Sequence, residues 1–161
     1  GKGDMFTGPQ IIERIQDGEM FTFGGGNNQQ SYAHGEDFAR CIILAAEKFD
    51  IAAGNAFNVT SFTCTFKELL EAIAEEIDAS KDFTNLPYTL TVALGAVAAG
   101  VYRAFHREKS PLVTPFRVKL FGSTYIIDST KAAKTLGYAP KWNLKSTVHD
   151  MVQWGGTVKA R

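Results

Sequence analysis

Apolar and polar positions along the chain alternate between helical and strand periods, and this spacing predicts the elements in order. Thr7-Gly8-Pro9 opens a helix with proline in its first turn. Ile11, Ile12 and Ile15 give that helix a narrow apolar stripe, and Gly18 ends it. Met20–Phe23 reads as a short strand closed by the turn signal Gly24-Gly25-Gly26-Asn27-Asn28, and Gln30–His34 as a second short strand. Over residues 37–49, Phe38, Cys41, Ile42, Ala45 and Phe49 recur at helical spacing, with Arg40, Glu47 and Lys48 facing away. Asp37 is expected to cap that helix.

The segment from Gly54 to Thr60 reads as a turn leading into a buried strand. Thr65-Phe66-Lys67-Glu68 fits a capping box and opens a helix with Phe66, Leu69, Leu70, Ile73 and Ile77 on one face. Leu86–Phe105 is the most apolar stretch, with no charge before Arg103. It falls short of the roughly 20 strongly apolar residues of a spanning helix, so a buried or lipid-touching helix is the expectation. Thr124–Ile127 predicts a short strand. Asp128 or Ser129 caps a helix that Gly137 stops, with Pro140 beyond it. Leu144, Val148, Met151 and Val152 mark a last amphipathic helix. Short strands among helices make an α/β class.

Composition narrows the picture. The 161 residues are 45% hydrophobic with 15 Gly, 5 Pro and 2 Cys, which excludes collagen-like, disordered and disulfide-framework chains. Lys+Arg and Asp+Glu are both 17, so no global charge excess calls for nucleic acid. That balance hides a split. Residues 1–102 hold 6 basic and 14 acidic residues, and residues 103–161 hold 11 and 3. The two parts either neutralise each other by packing, or the basic part meets an anionic surface such as a cofactor phosphate or a membrane.

Cys41 lies on an apolar helix face, as expected for a small buried thiol in a reduced intracellular compartment. The chain opens Gly1-Lys2-Gly3-Asp4 with no basic-then-apolar leader, a start that fits a processed end, a cloning choice or a fragment. His34, His106 and His149 lack partners at metal-ligand spacing, so no metal site is expected. No Gly-x-Ser-x-Gly elbow and no phosphate-loop lysine are present. A dinucleotide fingerprint needs Gly-x-Gly-x-x-Gly between a strand and a helix, and Gly1, Gly3 and Gly8 miss that spacing.

The ordered motifs nevertheless resemble a known family. Phe23-Gly24-Gly25-Gly26 through Gly35-Glu36-Asp37-Phe38-Ala39, followed by Leu44-Ala45-Ala46-Glu47, is similar to an extended short-chain dehydrogenase/reductase of the NAD-dependent epimerase/dehydratase superfamily. The run from Gly54 to Asn58-Val59-Thr60, then Thr65 and Glu68, resembles that family's Gly-x-x-(Phe/Tyr)-Asn-(Ile/Val) strand and following helix. Asp128-Ser129-Thr130-Lys131-Ala132 and Leu136-Gly137-Tyr138-x-Pro140 resemble its closing motif, and Gly1-Lys2-Gly3-Asp4 its Gly-Pro-Gly-Asp loop. Leu86-Pro87-Tyr88 and the run from Pro111 to Val118 are most like the 3-beta-hydroxysteroid and sterol dehydrogenase branch. Gly35, where a branched residue is usual, and Pro115, where a basic residue often sits, depart from the pattern.

The resemblance spans nearly all of the chain but only the family's C-terminal portion. It implies an α/β fold that is the substrate-binding part of an extended Rossmann-fold dehydrogenase, mainly helices with a few short strands. Residues 1–161 would form a single substrate-binding region, with the cofactor-binding half absent. It implies an intact enzyme that oxidises a sterol-like secondary alcohol with NAD or NADP, an upstream tyrosinate–lysine pair taking the hydroxyl proton while the nicotinamide takes the hydride. No tyrosine here has lysine four residues on, so no catalytic residue is expected in this chain, which alone would be inactive. Lys2, Asp4 and Met5 resemble the substrate-facing loop. Ser31, Tyr32 and His34 resemble the strand beneath the substrate, and Arg117 and Tyr125 are candidates for the pocket rim.

Two other readings stay open: a nucleotide-sugar or flavonoid-type enzyme of the same superfamily, with Arg117 or Lys2 meeting a pyrophosphate, or a free-standing binding domain. The partners expected are a small molecule such as a sterol, the missing half, and a membrane surface touched through 86–105. The location expected is cytoplasmic or membrane-associated, the endoplasmic reticulum in a eukaryote. A strand edge or apolar face left open by a missing sheet would also let the chain dimerise.

Overall fold

The computed structural model describes residues 1–4, 7–91, 93 and 115–159, without the side chains of residues 115, 117 and 156–159. Among the described residues the helices include α1 (Thr7–Gln16), α2 (Gly35–Glu47), α3 (Phe49–Ala52), α4 (Phe66–Glu76), α5 (Pro115–Gly122), α6 (Thr130–Leu136) and α7 (Leu144–Lys159). The short strands among the described residues are β1 (Phe21–Phe23), β2 (Gln29–Tyr32), β3 (Phe62–Thr65) and β4 (Thr84–Leu86). β1 runs parallel to β4, and β2 runs antiparallel to β3. Tyr125 bridges to Gln30 on the other edge of β2, all that forms of the strand expected at Thr124–Ile127.

The larger core comes from helical periodicity. Ile11, Ile12 and Ile15 of α1 meet Phe66, Leu70 and Ile73 of α4 and Val148 and Met151 of α7. α4 is launched by a complete capping box: Thr65 Oγ1 accepts from the Glu68 amide, and the Glu68 carboxylate accepts from the Thr65 amide at 2.7 Å. The three glycines between β1 and β2 form a 3₁₀ turn with positive φ throughout. A side chain at Gly26 would press on Lys67 Cβ and Thr22 Cγ2, both 3.1 Å from an ideal Cβ, so this run is a turn folded onto the start of α4.

A second cluster joins Cys41 of α2 to Ala132 and Leu136 of α6 and to Tyr138. α6 stops as the sequence predicts, with Gly137 at φ +73° and the Tyr138 amide returning to the Ala132 carbonyl. Asp128 rather than Ser129 supplies the cap, accepting from the Thr130 amide at 2.8 Å.

Four expectations are corrected. The stripe on α2 is buried only at Cys41, while Phe38, Ile42 and Phe49 are 53%, 57% and 69% exposed. Arg40 does not face away but reaches Asp37 Oδ1 at 3.3 Å and the Ala139 carbonyl at 3.2 Å. The segment 54–60 forms no strand, and the strand instead lies at Phe62–Thr65. The α2 cap is His34, whose Nδ1 accepts from the Glu36 amide, because Asp37 is turned inward. Of the apolar stretch 86–105, residues 88–91 are helical and residues 94–105 lie outside the described residues. Among the described residues no helix is long and apolar enough to cross a membrane.

Asp37 is wholly buried and accepts from the Ser61 hydroxyl at 2.7 Å, the Lys141 amide at 2.9 Å and the Trp142 amide at 3.1 Å, besides Arg40. Burial alone would raise its pKa. The Lys141, Ser61 and Trp142 hydrogen bonds and the Arg40 charge outweigh that and hold it below the ordinary carboxylate value.

Two predictions follow from these anchors. Asp37→Asn keeps the shape but turns a donor toward donors, and should cost about 3 kcal/mol, lowering the thermal midpoint by roughly 6–12 °C. Because the folded-state pKa is depressed, Asp37 adds stability above about pH 4. That stability is lost as the pH falls through the folded-state value, so the variant's acid limb should be flatter in calorimetry across pH. Thr65→Ala removes the cap acceptor and should cost about 1 kcal/mol in urea unfolding.

Candidate substrate slot

An apolar slot of about 360 Å³ opens between α1, β1 and α5. Its walls are Ile11 from α1, Met20, Phe21 and Phe23 from β1 and the residue before it, Phe66 at the start of α4, and Phe116, Leu120 and Phe121 from α5. Thr7, Gln10 and Arg14 of α1 supply its polar groups. The volume lies in the range of small-molecule clefts, roughly 300–1,000 Å³. The rings are set against each other: Phe21 meets Phe23 edge to face at 5.3 Å, and Phe66 stacks on Phe121 at 5.2 Å. Phe116 is 72% exposed at the mouth. Grooves of about 630 and 660 Å³ flank α7, but they are more open and border the Glu76–His149 pair.

β2 fastens the α5 wall. The side chain of Gln30 is fully buried and donates to the Leu120 carbonyl at 2.9 Å. Asn28 donates to the carbonyls of Phe121 at 2.8 Å and Ser123 at 3.1 Å. Tyr32 donates to Gln30 Oε1 at 2.6 Å, and the Tyr125 hydroxyl approaches the same oxygen at 3.5 Å. Ser31 Oγ shares a hydrogen bond with Thr63 Oγ1 at 2.9 Å and accepts from the Ile127 amide at 2.9 Å.

The eight candidate residues thus separate. Tyr32 and Tyr125 gather on Gln30, a residue the sequence reading missed, while Ser31, its neighbour in β2, joins Thr63 and the Ile127 amide instead. The signal for Gln30 is a glutamine at an inward position of a strand with Tyr two residues on. Lys2 and His34 gather instead on Asp150 of α7. The Lys2 amide donates to Asp150 Oδ2, and His34 Nε2 lies 3.1 Å from the same atom. With Nδ1 accepting from Glu36, the imidazole carries its proton on Nε2 and donates to Asp150. Trp142 stacks on that ring at 3.7 Å. The Lys2 ammonium lies 5.9 Å from the Trp154 ring centroid.

Asp4 accepts from the amides of Thr7 at 2.9 Å and Gly8 at 2.8 Å, which fixes the start of α1. Met5 and the side chain of Arg117 lie outside the described residues.

Burial raises the pKa of Tyr32, with further increments from Cys64 and Tyr125, and burial raises Tyr125 as well. Both phenols keep their protons at neutral pH. Burial, with Glu68, pushes the Cys64 thiol up to about 12. The glycine turn supplies no dinucleotide cradle, since the Gly25 amide is taken by Asn85 Oδ1 at 2.7 Å and Gly26 lies against α4.

No family model matches the chain. It is 27% identical over 96% of its length to a decarboxylating sterol-4-alpha-carboxylate 3-dehydrogenase of Candida albicans, and covers 46% of that protein. It is 26% identical over 87% of its length to 3beta-hydroxysteroid-dehydrogenase/decarboxylase isoform 2 of Arabidopsis thaliana, and covers 27% of it. The chain therefore spans less than half the length of these curated relatives. Among solved structures, the gox2253 crystal structure superposes with a TM-score of 0.70 at 21% identity, over 98% of this chain and 46% of that one. A dTDP-glucose 4,6-dehydratase of Bacillus anthracis in complex with NAD superposes at 0.62 and 16% identity, over 95% and 40%. In sequence and in fold, the chain resembles the C-terminal portion of an extended short-chain dehydrogenase/reductase, and sterol and 3-beta-hydroxysteroid dehydrogenases are among its relatives in sequence.

Proposed function

We propose that the chain is the substrate-binding portion of an NAD(P)-dependent oxidoreductase acting on the CH–OH group of a sterol-like secondary alcohol. The observation that carries this reading is the apolar slot, whose aromatic and aliphatic walls suit a rigid hydrocarbon body. Likeness in sequence to sterol dehydrogenases supports the choice of substrate, and likeness in fold to an NAD-bound dehydratase supports the use of NAD or NADP. The exposed Phe116 and Leu120 give the slot an apolar entrance suited to a ligand delivered from a membrane surface.

In this reading the dinucleotide and the catalytic base lie in an upstream half. Two features of residues 1–161 support such a half. The outer face of α2 and α3 exposes Phe38, Ile42, Ile43, Phe49 and Ile51, each more than half accessible. Beside it, the segment 56–59 makes no backbone hydrogen bond among the described residues, as a strand awaiting a sheet would. The proteins of similar sequence are more than twice as long as this chain, so we assign this face to the upstream half rather than to a second copy.

Within the site, Ser31, Tyr32 and Tyr125 act as positioning residues. Tyr32 and Tyr125 act through Gln30, which holds the α5 wall, and Ser31 acts through the Ile127 amide. Lys2, Asp4 and His34 fix α1 and α7, and Arg117 is assigned to the rim.

The test is reduction of NAD(P) followed by absorbance. The intact protein should turn over a 3-beta-hydroxysteroid, while residues 1–161 alone bind it weakly and reduce nothing. Turnover by the pure chain would overturn the account. If a sugar nucleotide is the substrate instead, the intact protein should bind it and lose that binding in Arg117→Ala. Sterol turnover that survives Arg117→Ala, with no sugar-nucleotide binding, dismisses that alternative.

A further inference from the structure

Phe21 and Phe23 of β1 line the slot, so strand alternation turns Thr22 to the opposite side. There a separate cavity of about 460 Å³ lies between β1, β4 and the first turn of α4, and Thr22, Gly25, Lys67, Lys81, Asp82 and Asn85 line it. Thr22 and Asn85 are partners in the parallel β1–β4 register, which sets their side chains on one face. The glycine turn packs beside them: an ideal Cβ at Gly26 would lie 3.1 Å from both Thr22 Cγ2 and Lys67 Cβ. A glycine turn that has no lysine at phosphate-loop spacing in the sequence thus acquires one through the fold.

The polar groups of this cavity are in large part unspent donors. Thr22 is only 4% exposed, yet its hydroxyl has no hydrogen-bond partner among the described residues. Hydroxyls so deeply placed are ordinarily paired, and the cavity is where a partner can sit. Asn85 gives its Oδ1 to the Gly25 amide at 2.7 Å, which fixes the side chain and leaves its NH₂ group to donate. Lys67 meets Glu71 only at 3.7 Å, and Lys81 meets Glu75 at 2.8 Å. Both pairs join accessible side chains, where such contacts contribute little, and each ammonium keeps further donors. The acidic lining residue, Asp82, is exposed and accepts from the Ser80 hydroxyl at 3.3 Å.

We propose that this cavity is a second small-molecule site, built for a phosphate monoester. Lys67, Lys81 and the Asn85 amide hold the phosphoryl oxygens at the mouth, and the Thr22 hydroxyl donates to one of them from the floor. An excess of donors calls for a ligand rich in acceptors, and two ammonium groups favour one that is charged. The volume exceeds what a bare oxyanion fills and lies in the range of small-molecule clefts, roughly 300–1,000 Å³, which leaves room for the ester's body. Because β1 stands between the two cavities, the site is independent of what the slot binds.

The experiment is an NMR titration of the ¹⁵N-labelled protein, which reads weak binding and its location together. The probes are glucose 6-phosphate, inorganic phosphate and glucose. Glucose 6-phosphate should shift the amides of Thr22, Gly25, Lys67 and Asn85 saturably and leave those of Ile11 and Phe116 in the slot unmoved. Inorganic phosphate should move the same amides more weakly, glucose should move none, and added salt should weaken both phosphates. Lys67→Gln should lower the affinity for glucose 6-phosphate about tenfold. Thr22→Val keeps the shape of the strand residue and should lower that affinity severalfold. It should not lower the thermal midpoint, because the hydroxyl it removes holds nothing in the free protein. A lowered midpoint in Thr22→Val with unchanged affinity overturns the proposal, as does glucose moving the amides as strongly as its phosphate. Inorganic phosphate bound as tightly as the ester overturns the monoester class. If no phosphate moves these amides, the site itself falls.

Discussion

Asp37 holds its negative charge in a place from which water is excluded, and four donors converge on it to make that tolerable. The donors come from three distant parts of the chain: α2 itself, the approach to β3 at Ser61, and the loop before α7 at Lys141 and Trp142. A charged acceptor buried without those partners would cost several kcal/mol, so the three parts order together. Ser61 extends the arrangement by accepting from the His34 amide at 2.9 Å while donating to Asp37. His34 then caps α2 with one ring nitrogen and reaches Asp150 on α7 with the other.

From that anchor the slot follows. Fixing the end of β2 sets the strand's register against β3 and Tyr125, and the register decides which side chains face α5. Gln30 and Asn28 then hold the carbonyl end of α5, and α5 becomes the tied wall opposite α1 and β1. The polar groups along β2 are spent on this positioning, and the protonated phenols of Tyr32 and Tyr125 belong to the same scaffold. Under the proposed function, such rigidity suits a binding half that leaves proton transfer and hydride transfer to another part of the protein.

Local signals were legible in the sequence. The isoleucine stripe of α1, the capping box of Thr65 and Glu68, the stop at Gly137 and the turn at Gly24–Gly26 each depend on residues within one or two turns of one another. Asp37 was misread as a cap because its principal partners lie more than 100 residues away, where no local rule reaches. Gln30 escaped notice since a single glutamine in a short strand reads as a solvated edge. Phe38, Ile42 and Phe49 have the spacing of a buried face, yet nothing among the described residues covers them. The same holds for the expected strand at 54–60: its pattern is that of a paired strand, and pairing is what it lacks among the described residues.

The central claim is that these residues are one half of an enzyme whose chemistry resides upstream, and the coding region directly before Gly1 tests it most directly. The account predicts an in-frame Gly-x-x-Gly-x-x-Gly, followed by Tyr-x-x-x-Lys, in the source transcript. A start codon immediately before Gly1, with nothing upstream, would contradict it and leave a free-standing ligand-binding domain in its place.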